Sequence, residues 1–203
     1  VTLSNGATIN IAAGATTGTV DVAAPGDDPY VDASTVGATI STATGGNFES
    51  LQIDSAAAST SVTDDVDPTT VSLAATASVA EGGSIVYTAT LTNAAQTPVT
   101  VTLSTGETIA IAAGATSGSV TIGAPGDDVH IDAGSVSRTI TSASGGNFES
   151  LTVDATPATT AVTDTIDTTT VSITGYAAEA AGATATYTVS LTSAAQTAVT
   201  VNL

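Results

Sequence analysis

The side chains in this sequence that could do chemistry are carboxylates: Glu81, Asp127, Asp128, Asp132, Asp164 and Asp167. A matching set stands a hundred residues earlier as Asp27, Asp28, Asp32, Asp64 and Asp67, with Asp65 added. Clustered carboxylates repel one another: a pair about 5 Å apart costs about 3 kcal/mol at an effective dielectric near 20. A hard cation removes that cost. Oxygen-only ligands on flexible loops suit Ca2+, which takes roughly six to eight oxygens in tolerant geometry, better than Mg2+, which demands a tighter octahedron and keeps its waters.

No other chemistry assembles. His130 is the single histidine and stands where the earlier copy has Tyr30, so a role that needs imidazole is not expected. Serine and threonine abound, but without lysine or further histidine no nucleophile, base and orienting group can be put together. Paired carboxylates could hydrolyse a glycosidic bond, yet an aromatic content of 3% leaves no stacking platform for a sugar. The chain is not expected to be an enzyme.

Composition narrows the partners. Nineteen acids face one base, Arg138, for a net charge of −18, which speaks against nucleic acid and against anionic membrane surfaces. No apolar run reaches the ~18 residues that would insert into a bilayer. Cysteine is absent, so there are no disulfides, and lysine is absent, so there are no Lys–Asn isopeptide links. If domains this poor in aromatics need a staple, metal is the one left. The chain starts at Val1 without a recognisable signal peptide and reads as a piece of something longer.

The elements that must position the acids are strands. Ile85, Tyr87, Ala89 and Leu91 alternate with threonine and other small residues, as do Val99, Val101 and Leu103, Ile109 and Ile111, and Val120 and Ile122. Threonine outside and Val or Ile inside is the pattern of a half-buried antiparallel strand. Turn signals separate the runs at Glu81-Gly-Gly83, Asn93-Ala-Ala-Gln96, Ser104-Thr-Gly106, Pro125-Gly126 and Gly145-Gly-Asn147. About 57 of the first 100 residues recur 100 places later, a period too long for a solenoid turn and right for a whole domain. Seven short strands in that length predict an all-β chain of tandem immunoglobulin-like β-sandwich modules. The linkers Asp64–Pro68 and Asp164–Asp167 divide it into a partial module at 1–66 (strands C to G), a complete one at 67–167, and a partial one at 168–203 (strands A to C).

Strands that alternate in direction sort the acids by pole. Glu81, Glu107, Asp127, Asp128, Asp132, Asp164 and Asp167 all fall at the exit pole, facing the next module, with Glu149 at the opposite pole and Asp154 along a strand. Pro-Gly-Asp-Asp is also ordinary turn composition, and surface acids confer solubility; the sorting onto one pole is what favours metal. Glu81 has its counterpart, Glu179, offset by two positions, and Glu107 has only Ala7. Phe48 and Phe148 read as core plugs, and Gly45-Gly46-Asn47 as a positive-φ turn.

The runs Thr70-Val-Ser-Leu73, Glu81-Gly-Gly83, Tyr87-Thr-Ala-Thr-Leu91, Pro98-Val-Thr-Val-Thr-Leu-Ser104, Gly126-Asp-Asp128 and Gly145-Gly-Asn-Phe-Glu-Ser-Leu151 carry a resemblance. Together they resemble the extender repeats of giant RTX adhesins of the large-adhesion-protein type, biofilm adhesins that Gram-negative bacteria export by type I secretion. Glu81 with Asp127 and Asp128 is more distantly similar to the calcium ligands of Calx-β domains. The resemblance covers the whole chain. It implies Ca2+ at and near the linkers, an extracellular place on the bacterial surface, and a terminal binding domain projected away from the cell. Thr165 departs from Asp65, so the two linkers are expected to differ in ligand number.

The function expected is a spacer whose modules are stiffened by Ca2+ at their junctions, with neighbouring modules of the same chain as partners. The two partial end modules are expected to complement one another between chains. A rival reading is an adhesion module that contacts glycan or protein directly, which calls for an exposed aromatic or apolar patch that differs among copies. A third, rigidity from apolar contacts alone, calls for melting that ignores calcium.

Overall fold

The computed structural model describes residues 1–202. The first segment holds β1 (Thr2–Leu3), β2 (Ser34–Ala38), β3 (Ile40–Thr42) and β4 (Ala58–Val62). The central segment opens with β5 (Pro68–Ala75), β6 (Ser78–Ala80), β7 (Ser84–Leu91), β8 (Val99–Leu103) and β9 (Thr108–Ile111). It continues through β10 (Ser117–Gly123), β11 (Gly134–Arg138), β12 (Ile140–Gly145), β13 (Ser150–Val153) and β14 (Ala158–Thr163). A hairpin of β15 (Val171–Tyr176) and β16 (Thr186–Leu191) ends the chain. The fold is all-β, in keeping with an immunoglobulin-like sandwich, and the described residues contain no helix.

Period-two patterning dictates the sandwich. Along β7, Ile85, Tyr87, Ala89 and Leu91 turn inward while Thr90 faces out. Val99, Val101 and Leu103 of β8 and Ile109 and Ile111 of β9 meet them in one core. Each Val, Leu or Ile buried in this way stabilises the fold by about 1.5–3 kcal/mol relative to exposure. One layer runs β10-β7-β5-β13; the other is built from β12-β8-β9 and β11-β14-β6, with only Thr139 between β11 and β12.

Two strands change layer together. β5 pairs with β7 in the first layer, and its continuation β6 pairs with β14 in the second; β13 lies beside β5 and β14 beside β6, both in parallel. The first and last runs of the module therefore climb to the same pole side by side. At the other pole, Gly145, Gly146 and Asn147 have φ of 100°, 87° and 59°. A Cβ on Gly146 would collide with the Phe148 ring, so glycine is needed there on steric as well as conformational grounds. The same φ signs recur at Gly45, Gly46 and Asn47.

The flanking segments repeat the sequence without the full ladder. Residues 17–23 copy β10 yet form no strand; β10 leans on β7, and no copy of β7 precedes residue 17 in this sequence. At the other end β15 and β16 form their hairpin in the register of β5 and β7, with Val171 opposite Leu191 as Val71 is opposite Leu91. Tyr187 is 60% exposed there, whereas Tyr87 is fully buried.

Candidate metal centre

Three chain segments meet at the exit pole of the central sandwich. The parallel pairing of β6 with β14 sets the β6–β7 turn beside the end of β14, where the Glu81 N–H donates to Thr163 O at 3.1 Å. The long β10–β11 loop is stitched to the same turn: Gly82 N–H donates to Pro125 O at 2.7 Å and Ala124 N–H to Gly83 O at 2.9 Å. These backbone bonds bring carboxylate oxygens of Glu81, Asp132 and Asp164 within 4.8 Å of one another.

The trio is electrically unbalanced. Glu81 is only 7% exposed, and its Oε2 and the Oδ1 of Asp164 are buried without a protein hydrogen-bond partner. Sharing a proton with Asp132, followed by burial and by the charges of Asp132, Asp164 and Asp127, pushes the Glu81 carboxyl up to about 7. A nearly buried carboxylate with an unpaired oxygen, close to two more carboxylates, suits an oxygen-ligated cation. The cluster has the donor type and the spacing to bind a metal ion.

The other predicted ligands at this pole are placed differently. Asp127 stands close enough to raise Glu81 and accepts a hydrogen bond from the Thr165 hydroxyl. Asp128 accepts the N–H of His130 at 2.7 Å, an Asx turn that shapes the loop. Asp167 is exposed on the linker. Glu107 lies apart from the cluster, and its carboxyl is lowered by the Thr105 hydroxyl and its own backbone N–H, with Arg138 helping.

The preceding pole repeats the loop and linker acids, with Asp65 where the exit pole has Thr165. Asp27, Asp32, Asp64 and Asp65 line a cleft of about 140 Å³. The Asp32 N–H donates to Asp64 Oδ2 at 3.2 Å, and Asp28 accepts the Tyr30 N–H at 2.9 Å. A hydrogen bond with Asp65, then the charge of Asp65, burial and Asp67 push the Asp27 carboxyl up to about 6. Asp32 is raised by burial and then by Asp28 and Asp64. Where Asp65 shares a proton with Asp27, Thr165 offers Asp127 a neutral hydroxyl.

Sequence reasoning missed Glu149. Sorted within its own module it sits at the far pole, but that pole faces the exit of the segment before it. Glu149 Oε2 accepts the Asp67 N–H at 2.6 Å, and its Oε1 is buried without a partner. That bond pulls its carboxyl down; burial, the charges of Asp64 and Asp67, and a hydrogen bond with Asp64 outweigh it and leave the carboxyl raised. Glu149 thus joins the acids of the linker from the opposite side. The available signal was the tandem repeat itself, which puts the entry loop of one copy against the exit loop of the last.

No curated protein matches the chain. A family profile described as the LapA domain matches twice in tandem, over residues 1–65 and 67–165. LapA is a large adhesion protein, which points to a structural or adhesive role for a domain of that kind. With most of its length matched, this chain belongs to the LapA domain family.

Proposed function

We propose that the chain is a spacer of a bacterial cell-surface adhesin, with successive sandwiches braced by Ca2+ at their junctions. In this reading it belongs to an RTX adhesin exported by type I secretion and active in biofilms. The observation that carries the calcium reading is Glu81, nearly buried, with one oxygen unpaired and with carboxylate oxygens of Asp132 and Asp164 within 4.8 Å of its own. Calcium supplies positive charge and accepts oxygen ligands, and its lack of a rigid geometric demand suits ligands drawn from separate loops. At the exit pole Glu81, Asp132 and Asp164, with Asp127 beside them, would hold it; at the linker Asp27, Asp64, Asp65, Asp67 and Glu149 would. Glu81 ties the β6–β7 turn to the strand exit, and Glu149 ties a sandwich to the linker before it. Extracellular modules bind calcium at roughly 10⁻⁴–10⁻³ M, so the acids would go on repelling one another at each junction until the chain is outside the cell.

Small-angle scattering of the chain in EDTA and in millimolar CaCl2 tests this. Calcium is expected to lengthen the maximum dimension and narrow its spread; identical profiles would refute it. The same reading extends to the ends. The β15–β16 hairpin, already in register, offers a second copy the strand pair that residues 1–66 lack. A monomeric mass at every concentration would exclude that complementation.

A further inference from the structure

A second device joins the sandwiches, built from uncharged groups. The loop after Asp28 forms an antiparallel β-bridge with the next module: Tyr30 pairs with Phe148, Val31 N–H donates to Asn147 O at 3.1 Å, and Glu149 N–H donates to Pro29 O at 3.2 Å. The Tyr30 ring stacks on the Phe148 ring with centroids 5.6 Å apart and planes 23° from parallel. Its hydroxyl donates to Ala94 O at 2.6 Å. One side chain thus grips two separate turns of the following module.

Both sides are held rigid. Asp28 fixes the loop by accepting the Tyr30 N–H. On the receiving side Asn147 Nδ2 donates to Gln96 Oε1 at 2.7 Å, and Gln96 N–H donates to Gly146 O at 3.0 Å, locking the two turns together. Phe148, 8% exposed, is anchored in the core and carries the contact into it. Stacking and a neutral hydrogen bond are not screened by salt and need no ion.

We infer that successive modules are clasped by this aromatic clamp independently of metal, and that the residue at its centre grades each junction. One period later the clamp position is His130 and the acceptor position is again Ala194. The Asx turn that presents it is kept, but an imidazole ends short of where a phenol oxygen ends. Tyrosine junctions are therefore stiff before calcium arrives, and histidine junctions depend on the acids. Tyr30 is a positioning residue: it sets the angle between modules and is not among the metal ligands.

The chain lacks cysteine, so paired spin labels at Ser59→Cys and Thr90→Cys, exposed strand positions on either side of the junction, report the inter-module distance. The measurement is made in EDTA and in CaCl2 on the parent, Tyr30→Phe, Tyr30→His and Tyr30→Ala. In EDTA the parent is expected to show one narrow distance. Tyr30→Ala is expected to lower the clasped population by roughly tenfold or more, through loss of the stack and the hydrogen bond, with Phe and His between. Equal distributions for the parent and Tyr30→Ala in EDTA, with unchanged circular dichroism melting, overturn the clamp. A distribution that calcium narrows in Tyr30→Ala supports the metal brace, and one that it leaves unchanged counts against that brace, so the two ideas fail separately.

Discussion

Replacing Glu81 with glutamine deletes one negative charge from the exit pole while keeping the shape and a hydrogen-bonding group beside Asp132. With the Glu81 carboxyl at about 7, close to nine-tenths of the molecules carry its proton at pH 6 and about one-tenth at pH 8. A cation must expel that proton to use the oxygen. Asp27, at about 6, holds about half a proton at pH 6. Calcium binding at pH 6 should then release about 0.9 proton from Glu81 and about 0.5 from Asp27, so Glu81→Gln should release about 0.9 fewer than the parent. At pH 8 both should release close to none. Isothermal titration with CaCl2 in two buffers of different ionisation heat measures these numbers directly. The apparent affinity of the parent exit pole should fall about tenfold per pH unit below 7. The variant should bind there roughly tenfold or more weakly, having lost an anionic ligand. Equal proton release from parent and variant, or release that does not shrink between pH 6 and pH 8, would refute the assignment of Glu81 to the site.

Without metal, stability should run the opposite way with pH. Glu81 holds its proton more tightly folded, at about 7 against an ordinary 4.5. Its contribution is therefore complete below about 4.5 and lost as the pH climbs through about 7, and Asp27 acts in the same direction up to about 6. Thermal melts in EDTA should show a higher midpoint at pH 5 than at pH 8, and CaCl2 should raise the pH 8 value most; a higher midpoint at pH 8 in EDTA would contradict this. Gly146→Ala should destabilise by about 2–3 kcal/mol, from the positive φ and the displaced Phe148 ring, read as a shift in the urea midpoint; a shift below about 0.5 kcal/mol would refute the steric argument.

Much of the fold is legible in the residues. Ile85, Tyr87, Ala89 and Leu91 declare an inward face because side chains alternate along a strand whatever lies around it. Gly145-Gly-Asn147 declares a turn because left-handed backbone excludes most other residues. Counting reversals between strands is enough to send Glu81, Asp132 and Asp164 to one pole. Layer switching was not legible: the sequence does not say which sheet β5 and β6 each join, and only packing decides where the chain leaves one sheet for the other.

The sequence by itself settled the repeat, the strand class, the excess of acid and the pole on which it gathers, since each of these follows from local chemistry and chain direction. Tertiary structure alone decided which carboxylates meet. Asp128 spends its oxygen on the His130 N–H, and Asp132 turns to Glu81. Glu149 and Tyr30, remote from the partners they contact, become junction residues. The physical reason is distance: hydrogen bonds, stacking and carboxylate repulsion act over a few ångströms, and spacing along a chain does not specify which loops of two stacked sandwiches will come that close.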